Sequence, residues 1–114
     1  MYCSAMSTVN LHVLAEERSI ELHRAVAERL LADPTVLEPV RARVETWLRD
    51  GSVHAEYARA WAEILARPLA EILPLLTDRG EHARALRQVT PFTGILDQQE
   101  RLRIWAEVRE RLGA

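Results

Sequence analysis

Hydrophobic residues recur along this chain with the three-to-four-residue spacing of α-helices. The clearest pattern spans about residues 53–66, where Tyr57 and Trp61 share an apolar face and charged residues share the opposite one. The same spacing predicts helices over about residues 11–32, 34–49, 68–76, 81–88 and 97–112. We therefore expect an all-α, single-domain bundle of five or six helices over residues 11–114, preceded by a flexible tail over residues 1–10.

The first predicted helix has an unusually wide apolar face. Its charged residues gather on one arc, whereas its apolar residues spread over about half of the circumference. His12 and His23 fall in the middle of that apolar arc. Because one neighbouring helix covers a narrower stripe, the pattern predicts that this helix is buried on two sides, or that one side binds a partner.

Proline, glycine and capping residues predict where the helices begin and end. Asp33 and Pro34 are expected to stop the first helix and start the second. Pro39 lies inside the second helix, where it should cause a kink or delay the start. Gly51 suits a left-handed C-terminal cap, and Ser52 suits the N-terminal cap of the next helix.

Residues 89–96 (VTPFTGIL) form a predicted loop that is unusually apolar. A proline and a glycine argue against a helix there, yet the segment contains Phe92, the only phenylalanine of the chain. Asp97 and Glu100 then follow at the spacing of a capping box, which predicts the start of the last helix.

Composition and charge exclude several classes of protein. The net charge of −2 gives no overall field for nucleic acid or an anionic membrane, and no apolar run is long enough to cross a bilayer. The N-terminal residues are not typical of a secretory signal, and the single cysteine, Cys3, has no internal partner, so we expect a cytoplasmic protein.

All fifteen basic residues are arginine, which fits the codon usage of a high-GC bacterium. Glutamate–arginine pairs at i, i+4, such as the one at 107 and 111, are expected to form solvated faces.

The chain has no sequence motif typical of an enzyme or of a cofactor site. It lacks a glycine-rich phosphate loop, the HExxH and CxxC metal motifs and the GxSxG nucleophile motif. His12 and Glu16 have metal-ligand spacing, but His23 lies about 16 Å from His12 along the helix, too far to share one ion. We therefore expect no catalytic residue, no metal site and no cofactor.

One alternative function rests on the R-x4-H spacing of Arg18 and His23. This spacing resembles the ribonuclease motif of HEPN-type toxins, which are small all-helical dimers. The resemblance implies that the arginine and the histidine act on an RNA phosphodiester.

A second alternative is DNA binding. The fourth and fifth predicted helices have the outline of a helix-turn-helix, and Arg84, Arg87 and Gln88 would reach base edges or phosphates from the second of them. The segment is only mildly basic, which argues against the dense positive patch that strong phosphate binding needs.

The preferred hypothesis comes from a family resemblance over roughly residues 19–112. The loop RQVTPFTGIL and the helix HAEYARAWAEIL, together with the final helix, resemble small helical bacterial antitoxins that are encoded beside nucleotidyltransferase-type toxins. The resemblance implies a cytoplasmic protein without activity of its own. Such a protein would bind the toxin and block its active site or its tRNA substrate surface.

An interaction protein needs anchor residues, and aromatic and arginine side chains are the usual ones. The sequence nominates two groups of candidates for the toxin interface, which are Leu22 and His23 on the first helix and Phe92, Ile95, Arg101 and Trp105 near the C-terminus. Arginines of this surface would pair with the carboxylate cluster of a nucleotidyltransferase. In the alternative interpretation, Trp105 belongs to the core and Phe92 closes one end of the bundle.

Overall fold

A computed structural model describes residues 10–113. This part of the chain contains α-helices and one 3₁₀ turn but no strand, so the all-α prediction is confirmed. The elements are α1 (Leu11–Ala32), the 3₁₀ turn (Pro34–Val36), α2 (Leu37–Asp50), α3 (Ala55–Leu65), α4 (Leu69–Leu76), α5 (Glu81–Arg87) and α6 (Gln98–Arg111). Apart from Asn10, whose side chain accepts the His12 N–H at 2.8 Å and caps α1, the predicted tail lies outside the described residues.

Helix α1 is the central element of the bundle. It packs against α6, α4 and the 3₁₀ turn, and its buried side chains include Ile20, Val26 and Leu30. Of the two alternatives that the sequence predicts for this helix, burial on two sides or one side that binds a partner, the structure shows the first. Near its two ends the apolar side chains of Leu11 and Leu31 are exposed.

Between α1 and α3, the structure agrees with most of the helix boundaries that the sequence predicts. Asp33 accepts the Thr35 N–H at 3.1 Å, but Pro34 opens a 3₁₀ turn rather than an α-helix. Helix α2 starts at Leu37, so Pro39 lies in the first turn, where a missing N–H costs no intrahelical hydrogen bond. The predicted delay of the start is thus confirmed.

Gly51 ends α2 in the left-handed region, with φ of 69°, as the sequence predicts. The cap predicted for the next helix is wrong in its position. His54, rather than Ser52, precedes α3, and its ring Nδ1 accepts the Glu56 N–H at 3.2 Å. The helix therefore begins two residues later than the pattern suggests.

The core centres on Trp61, which is 2% exposed. Its indole N–H donates to the Leu86 carbonyl at 3.2 Å, and its ring meets Phe92 edge-on with centroids 5.7 Å apart. One tryptophan therefore connects α3, the end of α5 and the loop that follows α5. Phe92 is 4% exposed, which places it in this core.

Helix α6 begins as predicted, with a complete capping box between Asp97 and Glu100. Its buried side chains are Ile104 and Val108, whereas Leu102 is 51% exposed. Across residues 10–113, no helix is both long and apolar enough to cross a membrane.

Candidate protein-interaction surface

The six candidate interface residues divide into two groups. His23 and Phe92 are 5% and 4% exposed, so a partner cannot reach them without opening the bundle. Leu22, Ile95 and Trp105 are half-buried, and Arg101 is exposed. The accessible candidates all border the contact between α1 and α6.

His23 fastens the loop of residues 89–96 to α1. Its ring Nδ1 lies 2.7 Å from the Ser19 carbonyl, so Nδ1–H donates there. Its Nε2, 2.9 Å from the Thr90 hydroxyl, then accepts from that hydroxyl. The Thr90 oxygen in turn accepts the Phe92 N–H at 3.1 Å. Burial lowers the pKa of His23, which favours the neutral ring that this pattern requires.

The R-x4-H pair does not form a shared site. His23 faces Thr90, whereas the Arg18 guanidinium lies over the Trp105 ring. The histidine is buried with both ring nitrogens bonded, so it has no free nitrogen to give to a phosphodiester. The geometry therefore gives the ribonuclease alternative no support.

Trp105 lies between two arginines. The guanidinium carbon of Arg18 is 5.0 Å from the ring centroid, and that of Arg101 is 5.5 Å from it. Both distances lie within the range of cation–π attraction, which contributes about 0.5–1 kcal/mol per contact at exposed sites. Leu22 and Arg29 lie one and three turns beyond Arg18 on the same side of α1. We call this surface the arginine–tryptophan face and define it as Arg18, Leu22, Arg29, Ile95, Arg101 and Trp105.

Ion pairs set how α1 and α6 lie against each other. At one end Arg29 donates to both carboxylate oxygens of Glu100, at 2.9 and 2.8 Å, and to the Ile95 carbonyl at 3.3 Å. The Arg29 hydrogen bond lowers the pKa of Glu100. At the other end Arg111 donates to Glu17 at 2.9 Å. The two helices are therefore antiparallel, and Ile95 is held beside Arg29.

The pairing of Arg111 corrects an expectation from the sequence. Instead of bonding to Glu107 one turn earlier, Arg111 reaches across to Glu17 and Glu21 on α1. Glu17 is also bonded by Arg79 from the turn before α5, and that hydrogen bond is the main cause of its lowered pKa. Glu17 and Glu21 of α1 therefore form ion pairs with neighbouring elements rather than a purely solvated face.

The arginine–tryptophan face retains unused hydrogen-bond donors. Within residues 10–113 neither Arg18 nor Arg101 forms an ion pair, so their accessible guanidinium N–H groups remain available, whereas Arg18 Nε and Trp105 Nε1 are buried beyond the reach of a partner. Carboxylates are the acceptors that guanidinium groups bind best among protein side chains. This side of the molecule is therefore suited to a partner that presents acidic side chains.

The predicted DNA-recognition helix is differently arranged. Arg87 is 3% exposed and donates to the Asp78 carbonyl at 2.6 Å, so it stabilises the turn rather than projecting outward. Arg84 is bonded to Glu16 of α1 at 3.3 Å. Two of the three proposed DNA contacts are thus engaged within the bundle.

The part of the chain that the structure describes contains no group of three or more potential metal ligands. Cys3 lies outside that part. Comparison with known proteins identifies no relative, because no protein-family model, no curated protein and no solved structure matches this chain.

Proposed function

We propose that this chain is a cytoplasmic antitoxin that binds its partner through the arginine–tryptophan face. The observation that carries the proposal is the position of Trp105, which is held between the guanidinium groups of Arg18 and Arg101. Neither arginine has a carboxylate partner among residues 10–113. Two positive groups are therefore held in place while their guanidinium N–H groups have no carboxylate acceptor within residues 10–113.

A preorganised surface favours binding because less side-chain freedom is lost on association. Stacking on Trp105 restricts both guanidinium groups before any partner arrives, and the ion pair with Glu100 restricts Arg29. Arginine and tryptophan are also the residue types that most often dominate binding energy at interfaces.

Apolar side chains complete the surface. Leu22 and Ile95 are half-buried, and both pack against the core while keeping part of their surface accessible. An apolar contact bordered by arginines excludes water from the charged hydrogen bonds and so strengthens them. The matching partner surface has acidic side chains next to an apolar patch.

The family resemblance of the loop at residues 89–96 and of the final helix supplies the partner class, a nucleotidyltransferase-type toxin acting on tRNA. The active site of a metal-dependent nucleotidyltransferase contains a cluster of carboxylates, which is a chemically suitable target for Arg18 and Arg101. The inhibitory mechanism is steric occlusion of the active site or of the tRNA surface. The chain itself makes and breaks no bond.

The test uses the purified chain and a nucleotidyltransferase-type toxin, which the proposal expects to be encoded in the neighbouring reading frame. Nucleotide transfer to tRNA is measured at increasing concentrations of the chain, and full inhibition at a stoichiometric ratio is expected. Arg101→Glu reverses a charge that would face the carboxylates and is expected to weaken inhibition at least about 30-fold, the effect of losing one strong interface contact.

Arg103→Glu is the matched control because it makes the same charge change two residues away, on an exposed position outside the face. It should inhibit like the unaltered chain. Unchanged toxin activity at excess of the chain would eliminate the antitoxin proposal. If Arg101→Glu and Arg103→Glu weaken inhibition equally, the chain is still a toxin inhibitor, but the arginine–tryptophan face is not its binding surface.

A further inference from the structure

A groove of about 450 Å³ lies between α1 and α5, away from the arginine–tryptophan face. Polar side chains from both helices line it, and they are His12, Glu16, Ser19, Glu81, Arg84, Arg87 and Gln88. Its volume is in the range that small-molecule sites commonly have, about 300–1,000 Å³.

Arg87 is the unusual member of this lining. It is 3% exposed, and its Nη1 donates to the backbone carbonyls of Asp78 at 2.6 Å and Leu76 at 3.4 Å. Its Nε and Nη2 are buried and have no acceptor among residues 10–113. These two nitrogens form one edge of the planar guanidinium, the edge that binds carboxylate or phosphate through two parallel hydrogen bonds.

Among residues 10–113 no carboxylate lies within ion-pair distance of Arg87, and Glu16 and Asp78 attract its charge only from farther away. Glu16 is bonded to Arg84 at 3.3 Å, and the Glu81 side chain is 92% exposed and reaches only Arg84, at 3.9 Å. Backbone carbonyls are the only acceptors that Arg87 has in the described chain. A buried charge without a paired charge is costly, and burial lowers the pKa of Arg87 accordingly.

We propose that this groove binds an oxyanion, a phosphate or a carboxylate group, through the Nε and Nη2 edge of Arg87. A side-chain rotation that turns this edge toward the groove lets two oxygens of the ligand accept from the two nitrogens, which satisfies both donors and brings a negative charge into contact with the guanidinium. Arg84, whose side chain is 46% exposed, lies at the rim and adds a second positive group. Ser19 and Gln88 line the same groove and offer polar groups to the rest of the ligand.

Arginine side-chain NMR tests this site directly in the intact chain. The Nε–H resonance of Arg87 is followed while inorganic phosphate, acetate or chloride is added at constant ionic strength. A saturable downfield shift with phosphate, with acetate or with both supports the site, and the stronger ligand identifies the preferred oxyanion. No saturable shift with either, or the same shift with chloride, overturns it.

Variants separate binding from folding. Arg87→Lys keeps the charge but loses the fork, so oxyanion affinity should fall about tenfold, the loss of one charged hydrogen bond. Because Arg87 also supports the turn at Asp78, Arg84→Gln provides a second, exposed variant, and it should weaken affinity while the helical circular dichroism is retained. Arg59→Gln removes an exposed arginine on α3 and should leave affinity unchanged. Equal effects of Arg84→Gln and Arg59→Gln would show general charge screening and refute the site.

Discussion

Replacing Thr90 by valine removes one hydroxyl that joins α1 to the loop at residues 89–96, with almost no change in side-chain volume. The Thr90 oxygen lies 2.9 Å from His23 Nε2 and 3.1 Å from the Phe92 nitrogen. In Thr90→Val the buried Nε2 loses its donor, which costs about 1–3 kcal/mol, and the Phe92 N–H loses its acceptor, which costs about 1 kcal/mol more. We therefore expect a loss of about 2–4 kcal/mol in the free energy of unfolding.

Urea unfolding followed by tryptophan fluorescence measures this change, because Trp61 contacts the same loop through Phe92. Thr93→Val is the matched control, since Thr93 is exposed in the same loop, and it should change stability by less than about 0.5 kcal/mol. Hydrogen exchange at the Phe92 amide should also become faster in Thr90→Val. If Thr90→Val and Thr93→Val are equally stable, the His23–Thr90 hydrogen bond does not hold the loop and the reasoning is wrong.

Three further results are expected. Burial keeps the pKa of His23 below 6.5 in the folded chain, so the unfolded chain takes up an extra proton as pH falls through 6.5. The free energy of unfolding should therefore decrease below that pH. Urea titrations at a series of pH values should show a smaller decrease for His23→Gln. Glu17→Gln should lower the free energy of unfolding by about 1 kcal/mol at neutral pH, since it removes the ion pairs with Arg79 and Arg111. This difference should shrink as pH falls below the ordinary carboxyl pKa of 4.5 and through the lowered pKa of Glu17. An unchanged difference at acid pH would contradict the assignment. Asp97→Ala removes the cap of α6 and should lower the unfolding free energy by about 0.5–2 kcal/mol, whereas Gln98→Ala, at an exposed position beside it, should have little effect in the same thermal unfolding assay.

The helices were predictable because local sequence determines them. The apolar spacing of α1, the glycine at 51 and the capping box at Asp97 act within a few residues, and each appears in the structure where the pattern places it. Boundaries that depend on competition between two local caps were less predictable. His54 rather than Ser52 precedes α3 because the ring nitrogen of the histidine supplies an acceptor that its residue type does not usually provide.

The candidate site was only partly predictable. Trp105 and Arg101 could be nominated by residue type. Arg18 could not be connected with them, because it lies 87 residues before Trp105 in the sequence. Phe92 has the composition of an interface anchor and lies in the core, since only the packing of α3 against the loop decides which side of the loop faces inward. Residue type alone does not contain that information.

Arginine side chains explain how an apolar loop can remain ordered next to the proposed binding surface. Besides the His23–Thr90 hydrogen bond, Arg43 of α2 donates to the Pro91 and Thr93 carbonyls at 2.9 and 2.6 Å, and Arg29 donates to the Ile95 carbonyl at 3.3 Å. A loop without internal helix or strand has carbonyl groups that need donors, and guanidinium groups supply several from one side chain. These contacts therefore give the arginines a structural role in ordering the loop. Because the same Arg29 that fixes the loop belongs to the arginine–tryptophan face, the loop and the proposed binding surface are ordered by one set of contacts, and a change that loosens Thr90 should also weaken partner binding.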